Sequence, residues 1–141
     1  MYIGKYYHRI DEKNRVSFPT KLREQISTNA IITRGLDGCL SIFDQETWEK
    51  RLGQLRALAE TKKANREYVR YLTNDAAIVE VDGQGRLKLS EELKEIGGFQ
   101  KDIVFVGSLD HIEIWDQERY HSYMERVSDT IEDVIEGIPE L

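Results

Sequence analysis

The sequence is poor in the residues that build disulfides, metal sites and rigid loops. Its 141 residues include one cysteine, two prolines and three histidines. A single cysteine excludes an internal disulfide, and neither a zinc-ligand spacing nor a helix-turn-helix pattern is present. No apolar run reaches the roughly 18 residues of a transmembrane helix, and the N-terminus lacks the basic-then-apolar pattern of a signal peptide. We therefore expect a soluble, cytoplasmic chain with no metal, no cofactor and no membrane partner.

The one cysteine has a structural interpretation. Cys39 lies between Gly38 and Leu40 in an apolar strand pattern. Such a residue is more often a small buried hydrophobic side chain than a nucleophile or a metal ligand. We expect Cys39 to be buried and unreactive.

Charge is unevenly distributed along the chain. The formal net charge is −6, and residues 116–141 contain eight acidic residues and two arginines, which is also a local −6. Residues 1–23 instead carry six basic side chains against two acidic ones, a local +4. This asymmetry predicts a basic working surface near the N-terminus and an acidic surface elsewhere.

A short motif occurs twice. Residues 11–19 read DEKNRVSFP and residues 82–90 read DGQGRLKLS. An acid, an arginine and a leucine recur at a constant separation of 71 residues, in the pairs Asp11 and Asp82, Arg15 and Arg86, and Leu22 and Leu93. A separation kept at three positions indicates an internal duplication.

Each copy predicts a tight turn followed by a strand. Aspartate accepts backbone hydrogen bonds, and Asn14 or Gly85 tolerates a positive φ. The alternation that follows places Val16 and Leu87 on a buried face and the arginines on an exposed one. Arg15 and Arg86 could simply pair with their own aspartates. Because the pattern is repeated, a binding element for phosphate or a guanine edge is the stronger hypothesis.

The duplication extends over most of each half. Residues 30–43 predict a β-hairpin, and residues 103–115 predict its equivalent at a separation of 72. An amphipathic helix capped by Asp44 follows the first hairpin, with a break near Lys62 and Lys63, and one capped by Asp116 follows the second. Residues 76–81 predict a strand equivalent to the N-terminal one. The fold class is therefore α+β, with antiparallel strands in which each half completes the barrel of the other.

At this point the sequence resembles the MraZ family of bacterial transcriptional regulators, in the AbrB-like, swapped-hairpin class. The residues that carry the resemblance extend over most of the chain, and two of them depart from the family pattern, since Asn14 replaces a glycine and Ser90 replaces a proline. The matching residues are Asp11, Lys13, Arg15, Pro19, Leu22 and Arg23, then Asp82, Gln84, Gly85, Arg86, Leu87 and Leu93, and finally Gly107 with residues 112–115.

The resemblance implies a pseudo-twofold, double-psi-like barrel made of two repeats, residues 1–73 and 74–141. It further implies a ring-shaped homo-oligomer, associated with the nucleoid, that binds tandem G-containing repeats of double-stranded DNA in the promoter of the division and cell wall gene cluster. Asp11, Asp82 and Gly85 would shape the turns. The DNA-binding residues would be Arg15, Arg86, Lys13, Arg9, Lys21, Arg23, Asn14 and Lys88.

Two other classes of function are weighed against this one. An enzyme would have to use His8, His111 or His121 with Asp110 and Glu113, and their spacing matches no catalytic arrangement, so we expect no catalytic residues. A protein-interaction module related to AbrB-type antitoxins is the second alternative. Such proteins usually combine one half-barrel with a disordered tail, whereas this chain contains the half twice.

Overall fold

The structure is a computed structural model that describes residues 1–140. Its two halves follow the same order of elements, with one additional helix in the first half and one strand divided in two in the second. The first half comprises β1 (Lys5–Arg9), β2 (Arg15–Ser17), α1 (Thr20–Arg23), β3 (Ile31–Arg34), β4 (Leu40–Phe43), α2 (Gln45–Arg56) and α3 (Lys63–Thr73). The second comprises β5 (Ala77–Ile78), β6 (Glu80–Val81), β7 (Arg86–Lys88), α4 (Glu91–Gly97), β8 (Asp102–Gly107), β9 (Ile112–Asp116) and α5 (Gln117–Glu136).

The larger sheet has six strands in the order β1-β8-β9-β4-β3-β5, and every pairing is antiparallel. The order reads the same when each strand is exchanged for its equivalent in the other half. At its centre Ser41 pairs with Glu113, and these positions differ by the 72 residues that separate the hairpins. A pseudo-twofold axis therefore passes between β4 and β9.

The first strand of each half pairs with the hairpin of the other half. β1 runs beside β8, and β5 runs beside β3 from the edge of the sheet. Neither of these pairings joins two strands of the same repeat. Each half consequently depends on the other for part of its sheet.

The smaller sheet has three strands in the order β2-β7-β6. β2 and β7 are antiparallel, with Val16 opposite Leu87. These positions differ by the 71 residues that separate the two motifs, so the same pseudo-twofold relation holds in this sheet. Both side chains are buried, at 1% and 0% exposed.

The two faces of the larger sheet support different layers. One face supplies Ile42, Phe105 and Ile112 to the main core, where they meet Val16 and Leu87 of the smaller sheet. α1 and α4 close this core through Leu22 and Leu93. Since side chains alternate along each strand, the intervening residues point to the opposite face.

That opposite face is covered by the three longer helices. α5 packs Tyr120 against Trp115, Val104 and Cys39. α2 and α3 pack around Phe43, with Trp48, Leu55 and Leu72 from the two helices. The duplicated motifs and the long helices thus lie on opposite sides of the six-stranded sheet.

The predicted helix starts at Asp44 and Asp116 are confirmed, and a third helix has a cap of the same kind. The carboxylate of Asp44 accepts from the backbone N–H of Thr47, and that of Asp116 accepts from Arg119. The Ser90 hydroxyl accepts from the backbone N–H of Leu93 and caps α4. Pro19 is the N-cap residue of α1 and makes no side-chain cap.

Two boundaries differ from the predictions. The helix after Asp44 ends at Arg56, and the break before α3 is wider than the one predicted near Lys62 and Lys63. The predicted strand over residues 76–81 is divided between the two sheets as β5 and β6. Val79, between them, donates its backbone N–H to the Ala30 carbonyl oxygen at 2.8 Å.

The α+β class and the antiparallel pairing agree with the prediction, but the strand pairing does not close into one barrel. Among residues 1–140 the strands form two separate sheets that meet through the main core. The double-psi detail of the predicted barrel is therefore not seen in the strand pairing. None of the helices in this part of the chain is both long and apolar enough to span a lipid bilayer.

Candidate nucleic-acid interface

The first duplicated turn is organised by one carboxylate. Oδ1 of Asp11 accepts the backbone N–H groups of Lys13 and Arg15, both at 2.9 Å. Oδ2 of the same carboxylate accepts from Nε of Arg15 at 2.9 Å. Asn14 takes the left-handed conformation that the turn requires, with φ 59°. One short side chain thereby fixes both the backbone of the turn and the direction of the arginine.

The second turn repeats these contacts. Oδ1 of Asp82 accepts the backbone N–H groups of Gln84 and Arg86 at 2.9 and 3.0 Å, and Oδ2 accepts from Nε of Arg86 at 2.8 Å. Gly85 holds the left-handed position with φ 77°. The equivalence predicted from the sequence therefore extends to individual hydrogen bonds.

The hydrogen bonds favour the charged form of both aspartates. For Asp11 the backbone N–H of Arg15 is the largest cause of a lowered pKa, followed among the lowering causes by the Lys13 N–H and the Arg15 guanidinium. For Asp82 the backbone N–H of Arg86 leads in the same way. Both carboxylates therefore remain anionic partners for their arginines at neutral pH.

The arginine side chains are only partly exposed. Those of Arg15 and Arg86 are 26% and 28% exposed, because each lies against its own aspartate. The expectation of fully outward guanidinium groups is thus only partly met. Their Nη groups make no hydrogen bond within residues 1–140. Each arginine is held by Nε, and its two terminal nitrogens remain available as a pair of donors.

Strand pairing brings the two motifs onto one surface. Arg15 lies opposite Lys88 across the β2–β7 ladder, and Ser17 lies opposite Arg86. These four side chains share the face that points away from Val16 and Leu87, since adjacent residues of a strand face opposite ways. Like charges placed directly opposite each other destabilise a sheet. We call Arg15, Ser17, Arg86 and Lys88 the ladder face; it concentrates positive charge at a cost to the fold.

Hydrogen bonds across the pseudo-twofold axis hold the two turns together. The Phe18 backbone N–H donates to the Gly85 carbonyl oxygen at 3.0 Å, and the Leu89 N–H donates to that of Asn14 at 2.9 Å. Phe18 and Leu89 are equivalent positions, as are Gly85 and Asn14. The separation and orientation of the two arginines are therefore set by backbone contacts.

The other predicted DNA-binding residues occupy varied positions. Lys13 and Lys21 are exposed. Nε of Arg9 donates to Asp102 at 3.1 Å in an exposed pair. The guanidinium of Arg23 lies against Gly85, so close that a Cβ there would meet Nη1 at 1.8 Å.

Asn14 differs from the rest of the predicted set because it is buried. Its side-chain amide donates to the Glu91 carboxylate at 2.6 Å, and the residue is 8% exposed. This contact attaches the first turn to the start of α4. The amide is thereby used within the fold.

The duplicated turns, the pseudo-twofold six-stranded sheet and the duplicated hairpins allow a comparison with known proteins. A family model described as "MraZ protein, putative antitoxin-like" matches this chain twice, over residues 1–71 and 72–134. The chain belongs to the MraZ family. Each of the two matched segments contains one of the two aspartate–arginine turns.

Curated members of the MraZ family match across most of the chain. A protein named "Transcriptional regulator MraZ" from Clostridium botulinum (strain Alaska E43 / Type E3) is 42% identical over 125 residues, covering 89% of this chain and 88% of its own length. Its namesake from Lactobacillus helveticus (strain DPC 4571) is 36% identical over 141 residues, covering 100% and 99%. One from Lachnoclostridium phytofermentans (strain ATCC 700394 / DSM 18823 / ISDg) is 43% identical over 122 residues, covering 86% of each.

The residues considered for an enzyme also come together in part. His111 lies between two carboxylates, with Nδ1 2.7 Å from Asp110 and Nε2 3.2 Å from Glu113. Glu113 also accepts from the Trp115 indole at 3.0 Å. His8 packs edge-on against Phe105, and His121 meets the Tyr7 hydroxyl. The MraZ-family hairpin β8–β9 therefore contains a titratable cluster, on the face of the sheet opposite the ladder face.

The predicted burial of Cys39 is confirmed. Its side chain is 1% exposed, and burial, followed by the charge of Glu113, raises the pKa of the thiol to about 12. Within residues 1–140 no group of three or more metal-ligating side chains is arranged to hold an ion.

Sequence reasoning missed the partners that position the MraZ-family turns. Glu91 holds Asn14, and Asp102 holds Arg9, over separations of 77 and 93 residues. No local signal could have found these pairs. The duplication offered the only indication, since it predicts that equivalent segments of the two halves meet around an axis.

Proposed function

We propose that the chain is a transcriptional regulator that binds double-stranded DNA in a sequence-specific manner at tandem repeats in the promoter of the bacterial division and cell wall gene cluster. It would act at the nucleoid as a ring-shaped homo-oligomer. The supporting observation is the ladder face, where two aspartate-held arginines are related by a pseudo-twofold axis.

Arg15 is the proposed reader of base sequence. A guanidinium held at Nε by Asp11 presents its two Nη groups as parallel donors, which match the O6 and N7 acceptors of guanine in the major groove. Such a bidentate pair provides about 1–3 kcal/mol of discrimination. Arg86 would make the equivalent contact from the second turn.

The remaining basic residues would contact phosphates and supply affinity without base choice. The proposed set is Lys13, Arg9, Lys21, Arg23 and Lys88. Asn14 would support the first turn, because its amide is engaged by Glu91. Binding that depends on phosphate contacts weakens steeply as salt concentration rises.

Assembly would provide the rest of the affinity. One subunit presents a single ladder face, so several subunits must engage repeated DNA boxes at once, which raises the effective affinity without a new contact. A swapped arrangement of the two repeats, residues 1–73 and 74–141, remains part of this proposal. It is supported by the exchange of first strands between the two halves.

The test is DNA binding by single arginine variants. Arg15→Ala should weaken binding to a fragment of the cognate promoter by about 5- to 150-fold, which corresponds to the 1–3 kcal/mol of one bidentate contact. Arg86→Ala should show whether the second turn contributes equally. Affinity is measured by gel shift and fluorescence anisotropy at several salt concentrations.

The matched control is Arg126→Ala, which removes an exposed arginine from α5 on the opposite side of the large sheet. All three variants should retain the wild-type circular dichroism spectrum, since a partly exposed ion pair contributes at most about 1 kcal/mol. Wild-type affinity in both turn variants would refute the proposed readers. The absence of any salt-sensitive shift by the wild-type protein would instead favour the protein-interaction alternative.

A further inference from the structure

The two duplicated turns differ in the contacts that support them. Each turn accepts one backbone hydrogen bond from the other half of the chain, at Asn14 in the first and at Gly85 in the second. The first turn makes a further contact with the other half, because Nδ2 of Asn14 donates to Oε1 of Glu91 at 2.6 Å. Gly85 has no side chain that could make the equivalent contact. The aspartate–arginine hydrogen bonds therefore obey the pseudo-twofold symmetry, whereas the side-chain support of the turns does not.

Glu91 lies outside both copies of the motif. It is the first residue of α4 and follows the cap Ser90. The equivalent residue of the first half, 71 positions earlier, is Thr20 at the start of α1. Thr20 is exposed, and Gly85 would be its partner. The start of α4 thus supports the first turn through a side chain, and the start of α1 has no such partner in the second.

The hydrogen bond to Glu91 restricts Asn14. A hydrogen bond to a charged acceptor is stronger than one between neutral groups. Asn14 is 8% exposed, so removal of its acceptor would leave a largely buried amide without its partner. The residue also holds the left-handed backbone conformation of the turn, with φ 59°. Glu91 therefore helps to fix the residue on which the shape of the first turn depends.

Arg15 is the next residue along the chain, and its direction depends on this turn. Its Nε is held by Asp11 at 2.9 Å, so the two Nη groups move with the turn. Bidentate contact with guanine requires both donors to meet O6 and N7 with good hydrogen-bond geometry. A rotation of the backbone at Asn14 would misalign the pair. The orientation of the Arg15 donors is thus linked to a carboxylate in the other half of the chain.

The second turn has a support of opposite charge. The guanidinium of Arg23, from α1, lies directly against Gly85. The first turn is consequently close to an acid and the second to a base. The negative charge of Glu91 near the ladder face opposes the attraction of DNA. Loss of this charge and loss of the hydrogen bond should therefore change DNA affinity in opposite directions, so that the two effects can be separated.

We propose that Glu91 is a positioning residue for Arg15. By holding Asn14 it sets the orientation of the Arg15 guanidinium, and so supports the base discrimination of the first turn without contacting DNA itself. Arg86 does not depend on this contact, because the second turn has no counterpart to it. The inference rests on the proposed function and adds to it a residue that neither copy of the motif contains.

The experiment separates the hydrogen bond of Glu91 from its charge. Glu91→Ala removes both, Glu91→Gln keeps an oxygen that can accept from Asn14, and Glu91→Asp keeps the charge but shortens the side chain. Glu91→Ala and Glu91→Asp should weaken binding to the promoter fragment by about 3- to 10-fold, the net contribution of one hydrogen bond. Glu91→Gln should bind at least as tightly as the wild type. Fluorescence anisotropy at several salt concentrations measures these affinities.

Base discrimination provides the readout that a merely structural role would not change. Promoter fragments with single guanines replaced identify the guanine at which Arg15→Ala loses discrimination. Glu91→Ala should lose discrimination at that same guanine, and Glu91→Gln should retain it. The loss of affinity caused by Arg86→Ala should be the same whether residue 91 is glutamate or alanine.

Two further variants control for other effects at this position. Thr20→Ala alters the equivalent residue of the other half and should leave affinity and discrimination unchanged. Asn14→Gly removes the donor and gives the first turn the backbone residue of the second. In the Asn14→Gly chain, Glu91→Ala should cause no further weakening, since the contact that it would break is already absent. Circular dichroism establishes that each variant keeps the wild-type fold.

Two results would overturn the proposal. If Glu91→Ala and Glu91→Gln both bind at least as tightly as the wild type and discriminate equally well, the carboxylate acts only by repelling DNA. If Glu91→Ala weakens binding by the same factor in the wild-type and Asn14→Gly chains, its effect does not pass through Asn14.

Failure of this inference can be distinguished from failure of the proposed function. A wild-type protein that shows no salt-sensitive DNA binding, or an Arg15→Ala variant with wild-type affinity, would remove the proposed reader and with it the role of Glu91. DNA binding that depends on Arg15 but is unaffected by all three substitutions of Glu91 would remove only the positioning role.

Discussion

At the scale of the residue, the two turns meet the same backbone requirement with different side chains. Both need a left-handed residue three positions after the aspartate, and that residue is Asn14 in one and Gly85 in the other. Asparagine tolerates this conformation and here gains a hydrogen bond to Glu91. Glycine leaves room for the guanidinium of Arg23. The substitution of Asn14 for glycine is thus compatible with the turn, because the space beside it differs.

Gly85 should be the more sensitive of the two glycines in the second turn. Gly85→Ala would force a side chain into a left-handed φ of +77° and against Arg23. A left-handed alanine costs about 1–2 kcal/mol, and moving Arg23 adds to it, so we expect a loss of about 1–3 kcal/mol. Chemical denaturation monitored by circular dichroism measures this free energy of unfolding.

The neighbouring Gly83 provides the control. A Cβ at Gly83 would meet no atom within 4 Å, and its φ is not positive. Gly83→Ala should change the free energy of unfolding by no more than about 0.5 kcal/mol. Equal losses in the two variants would show that conformation and space at Gly85 do not matter.

At the scale of the element, the β8–β9 hairpin is fastened by an ionic cluster at its turn. Burial lowers the pKa of His111, but the hydrogen bonds that its ring donates to Glu113 and Asp110 outweigh burial, so its pKa is raised overall. The His111 contact lowers the pKa of Asp110; burial raises that of Glu113, but hydrogen bonds from His111 and Trp115 leave it lowered overall. All three shifts favour the charged forms in the folded chain. The hairpin is therefore most strongly stabilised when histidine and carboxylates are ionised together.

The pH dependence follows from these directions. A raised histidine pKa contributes stability that is fully present below the unfolded value of about 6.5 and is lost as pH rises through the folded value. The lowered carboxylate pKa values contribute stability above about 4, which is lost in acid. The stability advantage of wild type over His111→Gln should therefore be greatest between about pH 4.5 and 6.5 and decline by pH 8. Urea denaturation at a series of pH values measures it.

Two further variants make the test specific. Glu113→Gln removes the charged partner and should reduce the same pH-dependent advantage. His8→Gln, which removes an edge-on contact with Phe105 and no carboxylate hydrogen bond, should not reproduce the dependence seen for His111→Gln. An advantage over His111→Gln that is constant from pH 5 to 8 would contradict the ionic account of the hairpin.

At the scale of the whole molecule, the exchange of first strands makes the two halves one folding unit. β1 needs β8, β3 is paired at the sheet edge by β5, and the ladder between β2 and β7 joins the halves at Val16 and Leu87. Separating the halves would expose unpaired strand edges and the apolar face of the main core. No half keeps a complete sheet.

The isolated first half should therefore fail to fold as a monomer. A chain of residues 1–73 is expected to lack the amide dispersion of a folded protein in NMR spectra, or to associate. Adding a chain of residues 74–141 should recover structure, since together they restore every pairing. The whole chain should unfold in one cooperative transition by circular dichroism and fluorescence. A folded monomer of residues 1–73 would contradict the interdependence of the halves.

Local features of the fold were predictable from sequence because the interactions that cause them are short in sequence. The hydrogen bonds of Asp11 and Asp82 join residues two and four positions apart. The hairpins follow from alternation, and the caps Asp44, Ser90 and Asp116 bind N–H groups three residues away. The repeat itself indicated that two such turns exist and are equivalent.

Contacts between residues far apart in the sequence could not be predicted from the sequence alone. The burial of Asn14 depends on Glu91, and the placement of Arg23 depends on Gly85, 62 residues further along. The division of residues 76–81 between two sheets depends on the competing partners β3 and β7. Each outcome is decided by which surfaces meet, and periodicity records only which face of an element is apolar.

The sequence by itself determined the duplicated turns, the order of elements and the location of positive and negative charge, because backbone hydrogen bonding and side-chain alternation act over a few residues. Only the tertiary structure decided that the halves exchange strands, that Arg15 and Lys88 meet on one face, and that Asn14 is buried beside Glu91. These outcomes depend on burying apolar area from both halves at once. The free energy gained by this burial comes from residues that are far apart in the chain.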